Sequence, residues 1–155
     1  ATPGEAEIGH LRLDRSGTTV ESRCAGWAVD ARIRELNRRE PKGRLAQLAG
    51  NEARGEARHL SAALREGDAA AGQVLREVAE DLAFGLSHVV HLFHPQVIVL
   101  GGGLSGVGEP LRAAVAGALA GFTMAAFQPG AEIRLPALGE DSVPIGALLL
   151  ARANH

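Results

Sequence analysis

The stretch "GDAAAGQVLREVAEDLAFGLSHVVHLFHPQVIVLGGGLSGVGEP" (residues 67–110) decides the fold class of this chain. Asp68 is a typical N-cap residue, and the helix that follows is expected to end before Pro95. Residues 97–100 form an apolar run that predicts a strand covered on both faces, and a second helix begins near Gly108 or Glu109. The first helix carries a buried stripe with helical spacing, formed by Val74, Val78, Leu82, Leu86, Val89 and Phe93. Helix, buried strand, glycine turn and helix predict an α/β fold.

Shorter patterns lie on either side of this stretch. Residues 7–13 and 18–22 alternate as two strands around the turn "DRSG", and residues 28–37 have helical spacing. Glycines and a proline interrupt the polar region that follows, which predicts a loop or short helical pieces within one domain. A strand over 131–138 and a closing helix over 143–153 complete the pattern.

Composition excludes several classes of protein. The chain has 155 residues, with 16 basic and 18 acidic side chains and a formal charge of −2, so no basic excess is available to neutralise nucleic-acid phosphates. One cysteine is too few for a disulfide framework or a cysteine-rich zinc site. No apolar run approaches the roughly 20 residues that span a bilayer, and no signal peptide is evident. We therefore expect a cytoplasmic protein without a membrane or nucleic-acid partner.

A glycine triplet, Gly101, Gly102 and Gly103, follows the predicted buried strand. Glycines at the carboxyl end of a strand leave backbone amides open to a ligand, as in many α/β folds. The stretch lacks the G-K-[ST] ending of a phosphate-binding loop, and no acidic residue follows as in dinucleotide-binding motifs. On spacing alone, a ligand contact and a tight packing turn are equally supported.

The segment "EIGHLRLD" (residues 7–14) places Glu7 and His10 beside a glycine. A carboxylate accepts hydrogen bonds from hydroxyls, and a neutral imidazole both donates and accepts, so together they suit a polyol such as a sugar. A solvated surface pair is the simpler interpretation when the pair is taken alone.

Three histidines and the cysteine are further candidates for functional groups. His88, His91 and His94 recur every three residues, but this spacing drifts around a helix and no carboxylate is interleaved, so packing and capping are favoured over a metal site. Cys24 is expected to be a small buried side chain rather than a nucleophile.

Several motifs, in this order, resemble the carboxy-terminal half of the ROK family, a group of bacterial repressors and sugar kinases. That family carries G-E-x-G-H, a cysteine-rich segment, a helix ending in "N-P", a strand reading "vIvlGGGls" and a terminal "GAallA". The corresponding stretches here are "AEIGH" (6–10), "SRCAGWAVDARIRE" (22–35), "HLFHPQVIVLGGGLS" (91–105) and "VPIGALLLA" (143–151). The resemblance covers nearly the whole chain. It implies the second lobe of an actin-like (ribonuclease-H-like) ATPase fold, with a mixed sheet and flanking helices.

The resemblance also implies roles for particular residues. Glu7 and His10 would bind sugar, with Asp30 as the nearest counterpart of a second sugar-binding glutamate. Gly101, Gly102 and Gly103 would face the adenosine of ATP. Because the zinc cysteines of the family are missing, no zinc is expected, and Trp27 and Val29 would pack in its place.

Residues 1–155 would then form a carboxy-terminal lobe, while the amino-terminal lobe, with its phosphate loop and general-base aspartate, would lie outside this chain. We expect a hexose kinase of the glucokinase type that uses ATP and Mg²⁺ when full length, is inactive as this fragment, and forms a homodimer. Two alternatives remain open: the sugar-sensing body of a ROK transcriptional repressor, and an interaction module without catalysis.

Overall fold

The computed structural model describes residues 7–50 and 54–153, apart from the side chain of Glu140. Short 3₁₀ turns connect several of the elements, at Ile8–His10, Glu56–His59, Gly103–Val107, Ala125–Phe127 and Gly139–Asp141. In chain order the regular elements are α1 (Val20–Cys24), α2 (Gly26–Arg39), α3 (Arg44–Ala49), α4 (Leu60–Arg65), α5 (Ala69–Phe93), β1 (Val97–Val99), α6 (Glu109–Phe122), β2 (Glu132–Arg134) and α7 (Ser142–Ala153).

Helix α5 is the centre of the structure. Its N-cap is Asp68, as predicted, and the Asp68 carboxylate accepts a hydrogen bond from the Ala71 amide at 2.8 Å. Val74 and Val78 of the predicted stripe are fully buried, but Phe93 is 74% exposed, so its place in that stripe is wrong.

Strands β1 and β2 pair in parallel, with Ile98 opposite Ile133, and α6 connects them as a βαβ unit. The α/β prediction for this region is confirmed. The strand is nevertheless not covered on both faces as expected: Ile98 packs against the core, whereas Val97 and Val99 are 38% and 57% exposed. Since successive side chains of a strand point to opposite faces, the helices cover only one face of this described sheet.

The two strands predicted over 7–13 and 18–22 are not formed. Residues 8–10 make a 3₁₀ turn, a single antiparallel bridge joins Arg12 to Thr19, and α1 begins at Val20. A capping box explains the helix, because Thr19 accepts from the Ser22 amide at 3.2 Å and the Ser22 hydroxyl accepts from the Thr19 amide at 2.9 Å. These local hydrogen bonds prevail over the alternating pattern.

The turn between these segments is as predicted. The Asp14 carboxylate accepts hydrogen bonds from the Ser16 hydroxyl at 2.6 Å and from the Thr18 amide at 3.1 Å. The hydroxyls of Ser16 and Thr18 hold the pKa of Asp14 well below its ordinary value.

Close packing holds α1 against α5. Gly85 of α5 faces Val20 of α1, and a Cβ at Gly85 would lie only 2.7 Å from the Val20 Cγ2. An ion pair between Arg23 Nε and Asp81 Oδ2, 2.7 Å long, reinforces the same contact. The position of α1 therefore depends on glycine at residue 85.

Helix α2 confirms the predicted helix over 28–37 and extends it at both ends. Val29 is fully buried in the core, as expected, but Trp27 is 61% exposed and does not pack in place of the zinc segment. Trp27 lies in the first turn of α2, next to the solvent-facing side of the helix. An Arg32 guanidinium 3.2 Å from Glu77 ties α2 to α5.

Helix α7 confirms the predicted closing helix, but none of its described side chains is buried. Val143, Leu148, Leu149 and Leu150 are 60–80% exposed, which leaves an apolar helix largely uncovered. Within the described residues, no helix combines the length and the apolar character needed to cross a membrane.

Candidate functional site

Two adjoining hollows contain most of the residues that the sequence singled out. The glycine hollow has a volume of about 400 Å³, and Gly9, Glu21, Gly101 and Ser105 lie in its wall. The histidine hollow has a volume of about 680 Å³ and is lined by Glu7, His10 and His88 together with apolar side chains. Ile8 and Leu86 line both, so they form the ridge between the two hollows.

The 3₁₀ turn Ile8–His10 sits on this ridge. Gly9 faces the glycine hollow, while Glu7 and His10 on either side of it line the histidine hollow. The backbone amide of His10 donates to the Glu7 carbonyl at 3.2 Å, which holds the two residues in one tight turn. Both side chains are exposed, and no other described side chain hydrogen-bonds to them, so both are available to a ligand.

The glycine triplet reaches the same region from β1. Gly101 lines the glycine hollow, and a Cβ placed on Gly101, Gly102 or Gly103 would meet nothing within 4 Å. Gly102 has φ +84°, a left-handed conformation that side chains rarely adopt, so glycine is required for this turn. The triplet is thus open, and Gly101 shares the glycine hollow with Ile8 and Gly9, whereas Glu7 and His10 line the other hollow across the Ile8–Leu86 ridge.

Glu21 is a site residue that the sequence reasoning missed. It lies in the first turn of α1 and lines the glycine hollow, and a Cβ at Gly9 would be in ordinary contact with the Glu21 Cβ at 3.5 Å. The alternating pattern of residues 18–22 predicts a strand at Glu21. The Thr19-x-x-Ser22 capping pattern is the signal that could have predicted a helix there, with Glu21 in its first turn.

Asp30 occupies a different part of the structure. Its two carboxylate oxygens accept hydrogen bonds from the amides of Gly55 at 2.9 Å and Ala57 at 2.8 Å. The adjacent Glu56 is buried and accepts from Arg34 Nε at 2.7 Å. Asp30 therefore anchors the Glu56–His59 turn to α2, and it lines neither hollow. Its role as a sugar ligand stays a prediction.

The three histidines of α5 have separate surroundings. His88 Nδ1 lies 2.9 Å from the Phe84 carbonyl oxygen, and His91 Nε2 accepts from the Met124 amide at 3.1 Å. His94 ends the helix with φ +49° and stacks on Phe127 at 4.6 Å between ring centroids. The described residues contain no group of three or more His, Cys, Asp or Glu side chains that could hold a metal ion. The use of Mg²⁺ by the full-length protein stays a prediction.

Cys24 lies in the wall of the glycine hollow. The thiol is buried and approaches the Val78 carbonyl oxygen at 3.8 Å. Burial, followed by the nearby Asp81 carboxylate, raises the pKa of Cys24 to about 12. At neutral pH the side chain is a protonated thiol that serves as part of an apolar wall.

The hollows together offer hydrogen-bond acceptors around an apolar ridge. Glu7 and Glu21 present carboxylates, His10 presents an imidazole, and the glycine turn presents open backbone. A neutral ligand rich in hydroxyl donors matches this arrangement better than an anion does.

A sequence model of the ROK family matches residues 4–154. The chain belongs to the ROK family. The sequence resemblance is thereby confirmed, together with the fold class that it implied.

The chain is similar to glucokinases and to a transcriptional regulator of the same family. The chain is 27% identical over 150 residues to a glucokinase of Thermotoga maritima, covering 92% of this chain and 47% of that protein. A ROK glucokinase of Streptomyces griseus, solved with glucose and AMPPNP, has a TM-score of 0.81 and 26% identity over 96% of this chain and 52% of its own. A ROK transcriptional regulator has a TM-score of 0.65 at 18% identity, covering 83% of this chain and 33% of its own, which shows a shared fold. The chain spans about half the length of the curated relatives it matches.

Proposed function

We propose that this chain is the carboxy-terminal part of an ATP-dependent hexose kinase of the glucokinase type. The observation that carries the proposal is the arrangement of polar groups around the Ile8–Leu86 ridge. Glu7 and His10 line the hollow on one side of it, and Glu21 and the open turn at Gly101 line the hollow on the other. Similarity to a glucokinase whose structure contains glucose and an ATP analogue supports the same assignment.

The sugar would be bound through its hydroxyls. Glu7 lines the histidine hollow and Glu21 lines the glycine hollow, and a carboxylate oxygen of each would accept a hydrogen bond from a sugar hydroxyl. His10 adds a group that donates or accepts according to its tautomer. Glu21 is proposed as the second carboxylate, since the Asp30 oxygens already accept two backbone amides.

The adenosine of ATP would lie against the glycine turn. Gly101 and Ser105 line the glycine hollow beside apolar side chains, including Leu104 and Leu111, and such a surface suits a flat purine. Because no Cβ covers residues 101–103, the ligand approaches main chain directly.

Phosphoryl transfer itself would need groups from the remaining half of a full-length protein. The reaction requires phosphates held in line with an activated sugar hydroxyl. In the described residues, no group of three or more His, Cys, Asp or Glu side chains could hold a metal ion beside those phosphates. The exposed apolar side chains of α7 and β1 support the proposal that a further lobe of the full-length protein packs on them. We therefore propose that this chain alone binds ligands without turnover; the homodimer and the cytoplasmic location stay predictions.

The test compares sugar binding and ADP release in the full-length protein that contains this chain. Glu7→Gln and Glu21→Gln each remove the charge of an acceptor while keeping its size. Glu35→Gln is the matched control, because Glu35 pairs with Arg38 and Arg39 away from both hollows. Because glutamine keeps an acceptor oxygen but not the charge, we expect glucose binding to be about 10-fold weaker, measured by titration calorimetry.

The outcomes separate the alternatives. Weaker binding in both hollow variants, with normal binding in the Glu35 variant, supports the sugar site. Unchanged affinity in both hollow variants contradicts it. Intact sugar binding without any glucose-dependent ADP release would contradict the kinase and favour the sugar-sensing regulator.

A further inference from the structure

We propose that His88 is an additional sugar-contacting residue, which presents the lone pair of Nε2 to a ligand hydroxyl in the histidine hollow. This inference rests on the proposed function and extends the site to helix α5. The observation behind it is that His88 lines the same hollow as Glu7 and His10, although 78 residues separate His10 from His88.

The tautomer of His88 follows from its hydrogen bond. Nδ1 lies 2.9 Å from the Phe84 carbonyl oxygen, and a carbonyl oxygen only accepts, so Nδ1 carries the proton. The Ser87 hydroxyl also donates to this oxygen, at 2.7 Å, so the oxygen acts as an acceptor in both contacts. In the neutral ring Nε2 is then an acceptor, and no described residue hydrogen-bonds to it.

The ring is also held in place. His88 is half-buried, and Phe84 packs against it edge-on, with ring centroids 5.0 Å apart and planes at 90°. Both residues belong to α5, so the helix fixes the acceptor relative to the ridge at Leu86. A fixed acceptor loses little conformational freedom on binding a hydroxyl.

The neighbouring histidines are engaged elsewhere. His91 Nε2 already accepts from the Met124 amide, and His94 stacks on Phe127. Neither of them lines the histidine hollow. Among these three histidines, His88 is therefore the one that lines the histidine hollow, and no described residue hydrogen-bonds to its Nε2.

This arrangement selects the chemical class of the ligand. The Glu7 carboxylate and the His88 Nε2 both accept, so the hollow favours a neutral sugar that donates hydroxyl protons. A sugar acid such as glucuronate carries a carboxylate that the Glu7 charge repels. The inference therefore predicts preference for glucose over glucuronate in this hollow.

The experiment titrates glucose and glucuronate into the full-length protein by calorimetry at pH 8. His88→Asn keeps an amide near the Nδ1 position but removes the acceptor, whereas His88→Gln returns a carbonyl oxygen near the Nε2 position. His94→Asn is the matched control, because asparagine tolerates the left-handed conformation that His94 adopts. We expect glucose binding about 3- to 10-fold weaker in His88→Asn. In His88→Gln and His94→Asn we expect the affinity for glucose to stay within about 2-fold of the wild-type value.

Each outcome decides something. Selective loss in His88→Asn with rescue in His88→Gln supports the inference. Equal affinity in all variants overturns it and leaves the proposed sugar site intact. Failure of the wild-type protein to bind glucose overturns the proposed function, and this inference with it. Imidazole ¹⁵N spectra give an independent readout, because protonation of His88 at Nε2 in place of Nδ1 would overturn the tautomer assignment.

Discussion

Gly85 offers a direct test of how the core positions the site. A Cβ there would lie 2.7 Å from the Val20 Cγ2, about 0.8 Å closer than the roughly 3.5 Å at which carbon atoms pack favourably. Val20 is 4% exposed and belongs to the five-residue helix α1, so its methyl group has little room to move. We expect Gly85→Ala to push α1 away from α5.

The magnitude follows from two opposing terms. Alanine in a helix interior is about 1 kcal/mol more favourable than glycine, whereas overpacking of a core costs about 1–3 kcal/mol. We expect Gly85→Ala to lower the free energy of unfolding by roughly 0–2 kcal/mol net, and therefore the melting temperature by up to about 8 °C.

Gly117 of α6 supplies the matched control. It is exposed, lies within a helix, and a Cβ there would meet nothing within 4 Å. Gly117→Ala therefore keeps only the helix-propensity term and should raise the free energy of unfolding by roughly 0.5–1 kcal/mol. Thermal and guanidinium unfolding, followed by circular dichroism, measure both variants.

Two results would refute this reasoning. One is stabilisation of Gly85→Ala equal to that of Gly117→Ala. The other is a Val20→Ala background in which Gly85→Ala still destabilises, because the methyl group that causes the clash is then gone. Since α1 carries Glu21 beside Gly9, Gly85→Ala should also weaken the proposed sugar binding.

Three further predictions concern single side chains. The Asp68 carboxylate accepts from the amides of Ala71 and Leu45, so Asp68→Ala should destabilise the chain by about 2–4 kcal/mol in guanidinium unfolding, with Asp68→Asn intermediate. Burial opposes ionisation of Asp68, but these backbone hydrogen bonds lower its pKa overall. The ionised carboxylate therefore stabilises the folded chain above pH 3.8, and this stabilisation is lost as the pH falls toward the lower pKa of the folded state. Measuring the free energy of unfolding as a function of acid pH checks this. Asp30→Ala removes the acceptor of two loop amides and should cost about 2–3 kcal/mol in the same assay, whereas an unchanged midpoint would contradict its anchoring role. The pKa of Cys24 near 12 predicts negligible alkylation by iodoacetamide at pH 8 in the folded chain and rapid alkylation in guanidinium, followed by mass spectrometry.

Local sequence rules determined the central part of the fold. The Asp68 N-cap, the apolar stripe from Val74 to Val89, the glycine turn and the start of α6 were all predicted, because each depends on neighbours within a few positions; only Phe93 of that stripe was wrong. The same rules failed at residues 18–22, where an alternating pattern and a capping pattern competed and the capping hydrogen bonds prevailed.

The sequence by itself determined which chemical groups are available: a carboxylate and an imidazole around Gly9, and a triplet of glycines after a strand. Only the tertiary structure decided where these groups meet, because Gly85 allows α1 to approach α5 and so brings Glu21 beside Gly9. In the tertiary structure Asp30 also binds a loop far away in the sequence, and His88 lines the same hollow as Glu7. Such contacts join residues far apart in the chain, and local periodicity carries no information about them.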